Sequence, residues 1–339
     1  MSFLRRLFAA CATLVAIFSP QLSHAENLKL RVAYVPMVNM APLFILTNEG
    51  WAKEAGVDLE LTRFSSGTTL IQALASGEFD AVYMAVSPVV VARARGIDLK
   101  IVAANGVEIV SLIGLADLAK AYDGAASPAK AFEAFRQQHG RPVSIATLPK
   151  GTIPDTALRH YIKTQKINEA DVSILSQGEE QVRQSLLAKA VDAATMPEPI
   201  ITIVKSKDPS SKLLATGHDL MPGHPGFVLS VREKILKEHP DKVKSLVALN
   251  SKAIALIKSD PKRAAISTEA HLGKGLIPLE VIEAALTSPN NPITDDLRRL
   301  AEGTKSLQEF QVEIGVQPKI VPENELFDWT SYNELQATR

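Results

Sequence analysis

Residues Leu74–Pro88 read LASGEFDAVYMAVSP. Ser76-Gly77-Glu78 turns the end of a helix into the strand Ala81–Val86, and Ser87-Pro88 opens another helix with proline in its first turn. The pattern returns at Leu186–Pro199, LLAKAVDAATMPEP. Aligning Asp80 with Asp192 places Leu74 on Leu186, Phe79 on Val191, Ala81 on Ala193 and Met84 on Met196, an offset of 112. Two further echoes keep nearly the same spacing. Val32–Pro36 answers Ile145–Pro149, and Asp58–Leu61 answers Asp171–Ile174, both at 113. Three matches in one order at one spacing predict two copies of one supersecondary unit.

Between the echoes, strand and helix patterns alternate. Leu28–Val35, Val57–Phe64, Ala81–Val86 and Lys100–Ala104 read as strands, with helices over Ala41–Trp51, from Ser66 or Thr68 to Ala75, and from Ser87 to Arg95. The second copy repeats this in strands Val143–Thr147, Val172–Leu175, Ala193–Met196 and Leu213–Ala215. Such alternation predicts an α/β fold of two lobes, each a mostly parallel sheet flanked by helices. Glu108–Leu115 and Gly226–Val231 are strand-like and read as crossings between the lobes, the second bringing a return strand to lobe 1. Residues 26–112 and 228–339 are thereby assigned to lobe 1 and 113–227 to lobe 2. The helical last third, from Asp241 to Ile314, is expected on lobe 1, and the aromatic Phe327–Tyr332 ending is read as a structural latch.

The first 25 residues differ from the rest. Arg5 and Arg6 precede the apolar run Leu7–Phe18, and Ser23-His24-Ala25 is a small-x-small cleavage site. The run is shorter than the roughly 20 apolar residues that span a bilayer. The reading is a signal peptide cleaved after Ala25, with the mature protein in the periplasm. Cleavage removes Cys11, the chain's one cysteine, and with it thiol catalysis, disulfides and thiolate metal sites. It leaves 35 Lys+Arg against 37 Asp+Glu, a formal charge of −2. No basic excess points to nucleic acid. N-terminal sequencing of the exported protein should start at Glu26, and a retained Met1 would contradict the reading.

In parallel α/β sheets, ligands bind outside the carboxyl ends of the strands. This nominates matched loops facing each other across a hinged cleft. From the first copy come Met37, Asn39, Ser65, Ser66, Gly67, Thr68, Met84, Ala85 and Ser87. From the second come Gly151, Thr152, Asp155, Gln177, Met196 and Glu198, with His224 as a hydrogen donor at the cleft mouth. Hydroxyls and free N–H groups at helix starts suit anions. Methionines give adaptable apolar walls. Asp155 and Glu198 can hold an ammonium. No G-x-S-x-G, HExxH or Walker A pattern occurs, His218 and His224 lack a third metal partner, and no acid/base pair is assignable. A binding protein without cofactor or metal, not an enzyme, is expected.

The chain resembles the exported substrate-binding proteins of ABC importers for nitrate, sulfonate and taurine, whose relatives bind thiamine precursors. The resemblance runs over about Leu28–Tyr332. It rests on Ala41-Pro42, Ala73–Ala81 (ALASGEFDA), Gly96–Ala103 (GIDLKIVA), Lys150-Gly151-Thr152, Glu198-Pro199, His224–Leu229 (HPGFVL) and Glu238–Asp241. It implies a type II-like two-lobed periplasmic binding fold. It also implies a monomer that delivers its ligand to an ABC permease driven by a separate ATPase. Many members carry an aromatic just before Glu-Pro, where this chain has Met196-Pro197. Ala116–Arg141 is longer than the usual connection. A ligand-sensing module for a membrane receptor and a thiamine-pyrimidine-related enzyme on the same fold are the alternatives.

Overall fold

The computed structural model describes residues 27–64, 67–273 and 275–339; the expected signal peptide lies outside them. Among the described residues, ten strands form two five-stranded sheets. The first comprises β1 (Leu28–Tyr34), β2 (Val57–Arg63), β3 (Ala81–Ala85), β4 (Leu99–Ala104) and the late strand β10 (Phe227–Arg232). The second comprises β5 (Val110–Gly114), β6 (Val143–Thr147), β7 (Val172–Ser176), β8 (Ala193–Pro197) and β9 (Lys212–Ala215). Their orders, β2-β1-β3-β10-β4 and β7-β6-β8-β5-β9, are the same plan twice. In each, parallel pairs flank the first strand of the copy, and one strand brought in by a crossing inserts antiparallel.

The structure differs from the sequence reading at the crossings. Glu108–Leu115 and Gly226–Val231 were expected to be the crossings themselves. Each is a strand, as read, but most of it is inserted in a sheet and does not span the lobes: β5 belongs to the second sheet and β10, the return strand, to the first. Most of their residues are apolar because both faces are covered, and β5 is buried throughout. The crossings are the short segments just before them. Ala116–Arg141 folds into helices Ala116–Asp123 and Pro128–His139, whose Phe132 and Phe135 enter the core.

The echoed aspartates do equivalent work. In lobe 1, Asp80 accepts from the Arg31 backbone N–H (3.0 Å) and from its guanidinium (2.9 and 2.8 Å). In lobe 2, Asp192 accepts from Ser144 N–H (2.8 Å), from the Ser144 hydroxyl (2.7 Å) and from Arg141 (2.6 and 2.8 Å). Each carboxylate thus pins the turn before the third strand of its copy to the edge of the first. Burial alone would raise both carboxyl pKa values. The hydrogen bonds from arginine and backbone outweigh it and hold both below the ordinary value.

A carboxyl depressed in the folded state contributes stability that is complete above its unfolded pKa, about 3.9, and that vanishes as pH falls through the folded value. Asp192→Asn should therefore lower the urea-unfolding free energy by about 1–2 kcal/mol at pH 7. The difference from wild type should close under acid conditions. A difference that is absent at pH 7, or undiminished in acid, would refute this role.

Candidate functional site

The chain passes from β4 to β5 through residues 105–109 and returns to β10 through 221–226. These two crossings lie side by side. Val107 and Pro225 form an antiparallel bridge, Asn105 N–H donates to Phe227 O (2.8 Å), and Glu108 N–H donates to His224 O (2.8 Å). Gly226 permits the approach, because a Cβ there would stand 2.4 Å from the Gly106 carbonyl oxygen. Glu108 has the unusual φ of 54° for a residue with a side chain. Its carboxylate accepts from Gly223 N–H (2.7 Å) and sits 2.8 Å from His218 Nδ1. Burial opposes its charge, but those two hydrogen bonds prevail and keep its pKa below the ordinary value.

His224 is fully buried in this seam. Its Nδ1 lies 2.9 Å from Met221 O and its Nε2 3.3 Å from Val110 N–H. Those partners assign the proton to Nδ1, with Nε2 accepting. Burial pushes its pKa down to about 4, so the ring is neutral. Its nitrogens serve the crossings, which differs from the expected hydrogen donor at the cleft mouth.

Helices start at the carboxyl ends of the parallel strands. In lobe 1 these are Ala41–Asn48 after the turn Val38–Met40, Gly67–Leu74, and Val86–Ala94. Ser65 and Ser66 lie outside the described residues; Gly67 and Thr68 form the first turn of their helix. Ala85 is the residue before helix Val86–Ala94, and Val86 N–H donates to Gly226 O (3.1 Å), which seats that helix on the return crossing. Ser87, 6% exposed, has a hydroxyl without a hydrogen-bond partner.

Asn39 is fully buried, and its amide orientation follows from a chain of bonds. Asn291 donates through Nδ2 to Ala285 O (3.0 Å), so its Oδ1 must accept, and it accepts from Asn39 Nδ2. Asn39 Oδ1 is therefore left as an unpartnered acceptor.

In lobe 2, helix Ile153–Thr164 follows the loop that carries Gly151 and Thr152. Thr152 is the N-cap, yet its side chain makes no capping bond and its buried Oγ1 has no partner. Asp155 takes over instead, accepting from Gly151 N–H (3.0 Å) and Arg159 Nε (2.9 Å), so both its oxygens are engaged locally. Gln177 accepts from Ser185 Oγ (3.0 Å). Glu198, 1% exposed, accepts from Thr202 N–H (2.9 Å) with one oxygen and has no partner for the other. Met84 and Met196 lie in apolar cores, and Met37 is half-buried against one.

An unpartnered buried polar atom costs about 1–3 kcal/mol. Asn39, Ser87, Thr152 and Glu198 all carry one, and all lie in the segments that follow the carboxyl ends of parallel strands. Helix Leu279–Thr287 packs against both Val38–Met40 and Ile200–Lys207, so the turn holding Asn39 and the helix that starts just after Glu198 share a neighbour. Sequence reading missed Tyr83, Asn105 and Ser111, which also have unpartnered buried polar atoms. Ser111 and Asn105 could have been noticed as polar residues within or just after apolar strands. A groove of about 690 Å³ lies elsewhere, between helix Ile153–Thr164, β7, Phe310 and Ile314, and contains none of these groups. Among the described residues there is no cluster of three or more His, Cys, Asp or Glu able to hold a metal, and no helix long and apolar enough to cross a membrane.

Two sheets of this order, joined by paired crossings with unpartnered polar groups at the strand ends, make the two-lobed periplasmic binding fold. The chain belongs to the NMT1-like family, whose model matches residues 23–271. A binding protein of Brucella abortus is 26% identical over 295 residues, covering 82% of this chain and 86% of that protein. The periplasmic nitrate-binding protein NrtA of Synechocystis superposes with a TM-score of 0.72 at 15% identity, over 92% of this chain and 89% of that one. The periplasmic aliphatic sulphonate-binding protein SsuA of Escherichia coli gives 0.70 at 17% identity, over 90% and 99%. Both solved neighbours are periplasmic binding proteins.

Proposed function

We propose that this chain is an exported solute-binding protein that captures a small anionic or zwitterionic solute, sulfonate-, taurine- or nitrate-like, between its lobes. It then delivers the solute, as a periplasmic monomer, to an ABC permease with a separate ATPase. The supporting observation is the mixed character of the unpartnered groups. Ser87 and Thr152 offer hydroxyl donors at helix starts, where an anionic end is favoured. Glu198 and Asn39 offer acceptors, which call for N–H donors. A carboxylate oxygen beside a bare oxyanion would repel it, so the pair of features favours a zwitterion within the proposed class. The likeness to nitrate- and sulfonate-binding proteins supports the same reading.

Melting curves with taurine, isethionate, nitrate, phosphonates and pyrimidines test it. A true solute at ~100 times its dissociation constant should add about 2.7 kcal/mol of stability. Glu198→Gln should weaken taurine by about 1.5–3 kcal/mol and leave isethionate, which lacks the amine, nearly unaffected. A panel without any shift would remove this class of solute.

A further inference from the structure

Helix Leu297–Glu313 spans both lobes. The last third of the chain was expected on lobe 1, and the first turns of this helix do enter that lobe. Leu297, Leu300 and Ala301 pack in one core with Leu99, Ile101 and Val228 of the first sheet. Its middle rests on the return crossing. A Cβ at Gly303 would stand 1.8 Å from the Gly223 carbonyl oxygen and 3.2 Å from Pro225 N, so only glycine allows the helix to lie this close. Its end reaches lobe 2. The Phe310 ring meets His160 edge-on at 5.2 Å, and Glu313 pairs with Lys163. Gln311, 4% exposed, donates through Nε2 to Gly151 O (2.9 Å) and to Thr156 Oγ1 (3.0 Å).

We infer that Gln311 is a positioning residue for the solute site, setting the Gly151–Thr152 loop of lobe 2 from a helix rooted in lobe 1. Gly151 N–H is tied within its own lobe by Asp155, whereas Gly151 O is tied by the other lobe. The loop's geometry is therefore not self-contained. Thr152 follows directly, with an extended backbone (φ −73°, ψ 162°) and a hydroxyl that is not spent on capping. The helix acts as a strut. Gly303 seats it on the crossing where the lobes pivot, and Gln311 carries the relative placement of the lobes to the loop.

Two readouts test this, and only the second rests on the solute reading. In the unliganded protein, Gln311→Ala should raise hydrogen exchange of the amides in residues 149–156 by about tenfold, with the melting temperature nearly unchanged. Gln311→Glu, which has no N–H donor, should behave alike. In titrations with taurine, both variants should bind about three- to tenfold more weakly, through faster dissociation. Unchanged exchange over 149–156 in both variants would overturn the inference. So would a lowered melting temperature accompanied by wild-type exchange and taurine affinity. If taurine fails to bind even the wild type, that counts against taurine as the solute, and the exchange result alone decides the role of Gln311.

Discussion

Everything in this molecule depends on the chain crossing between sheets twice at one place. The crossings hydrogen-bond to each other through Asn105, Glu108, His224 and Phe227, and Gly226 removes the side chain that would hold them apart. One crossing would leave two tethered domains. Two paired crossings fix which ends of the sheets approach each other, and the topology makes those the carboxyl ends of the parallel strands. Neutral His224, locked between Met221 O and Val110 N–H, and Glu108, holding Gly223, are the polar rivets of the seam.

The carboxylates of the two copies separate by partner. Asp80 and Asp192 are surrounded by donors and depressed in pKa, which marks them as fixtures of the fold. Asp155 is equally engaged, by Gly151 and Arg159. Glu198 alone among the nominated acids is buried with an oxygen to spare. Burial without a partner is the costly arrangement, and Glu198 carries it directly after β8, just before helix Ile200–Lys207. The spare Thr152 hydroxyl tells the same story, since Asp155 has relieved it of capping.

The doubled plan was legible in residues because it is written in local patterns. Strand alternation, helix starts and the Asp80–Asp192 echo each depend on neighbours a few positions away. The strand character of Glu108–Leu115 and Gly226–Val231 was readable as well; what the apolar runs hid is where each crossing ends and its strand begins, because β5 and β10 are covered on both faces and carry no period-two pattern. The strand-end rule nominated the loops, but which of their atoms remain free was not readable. That depends on long-range bonds such as Asn39 with Asn291 and Gln311 with Gly151. The bridging role of helix Leu297–Glu313 was hidden likewise, since an amphipathic stripe shows that a face is buried and not which lobe buries it.

The central claim is that the solute sits between the strand ends of the two lobes. The crystal structure of the mature chain with whichever solute of the melting panel stabilises it most tests this directly. The account predicts electron density in contact with Glu198 and Thr152 from lobe 2 and with Asn39 or Ser87 from lobe 1. Density confined to the groove beside helix Ile153–Thr164, or to any surface remote from the strand ends, would contradict it.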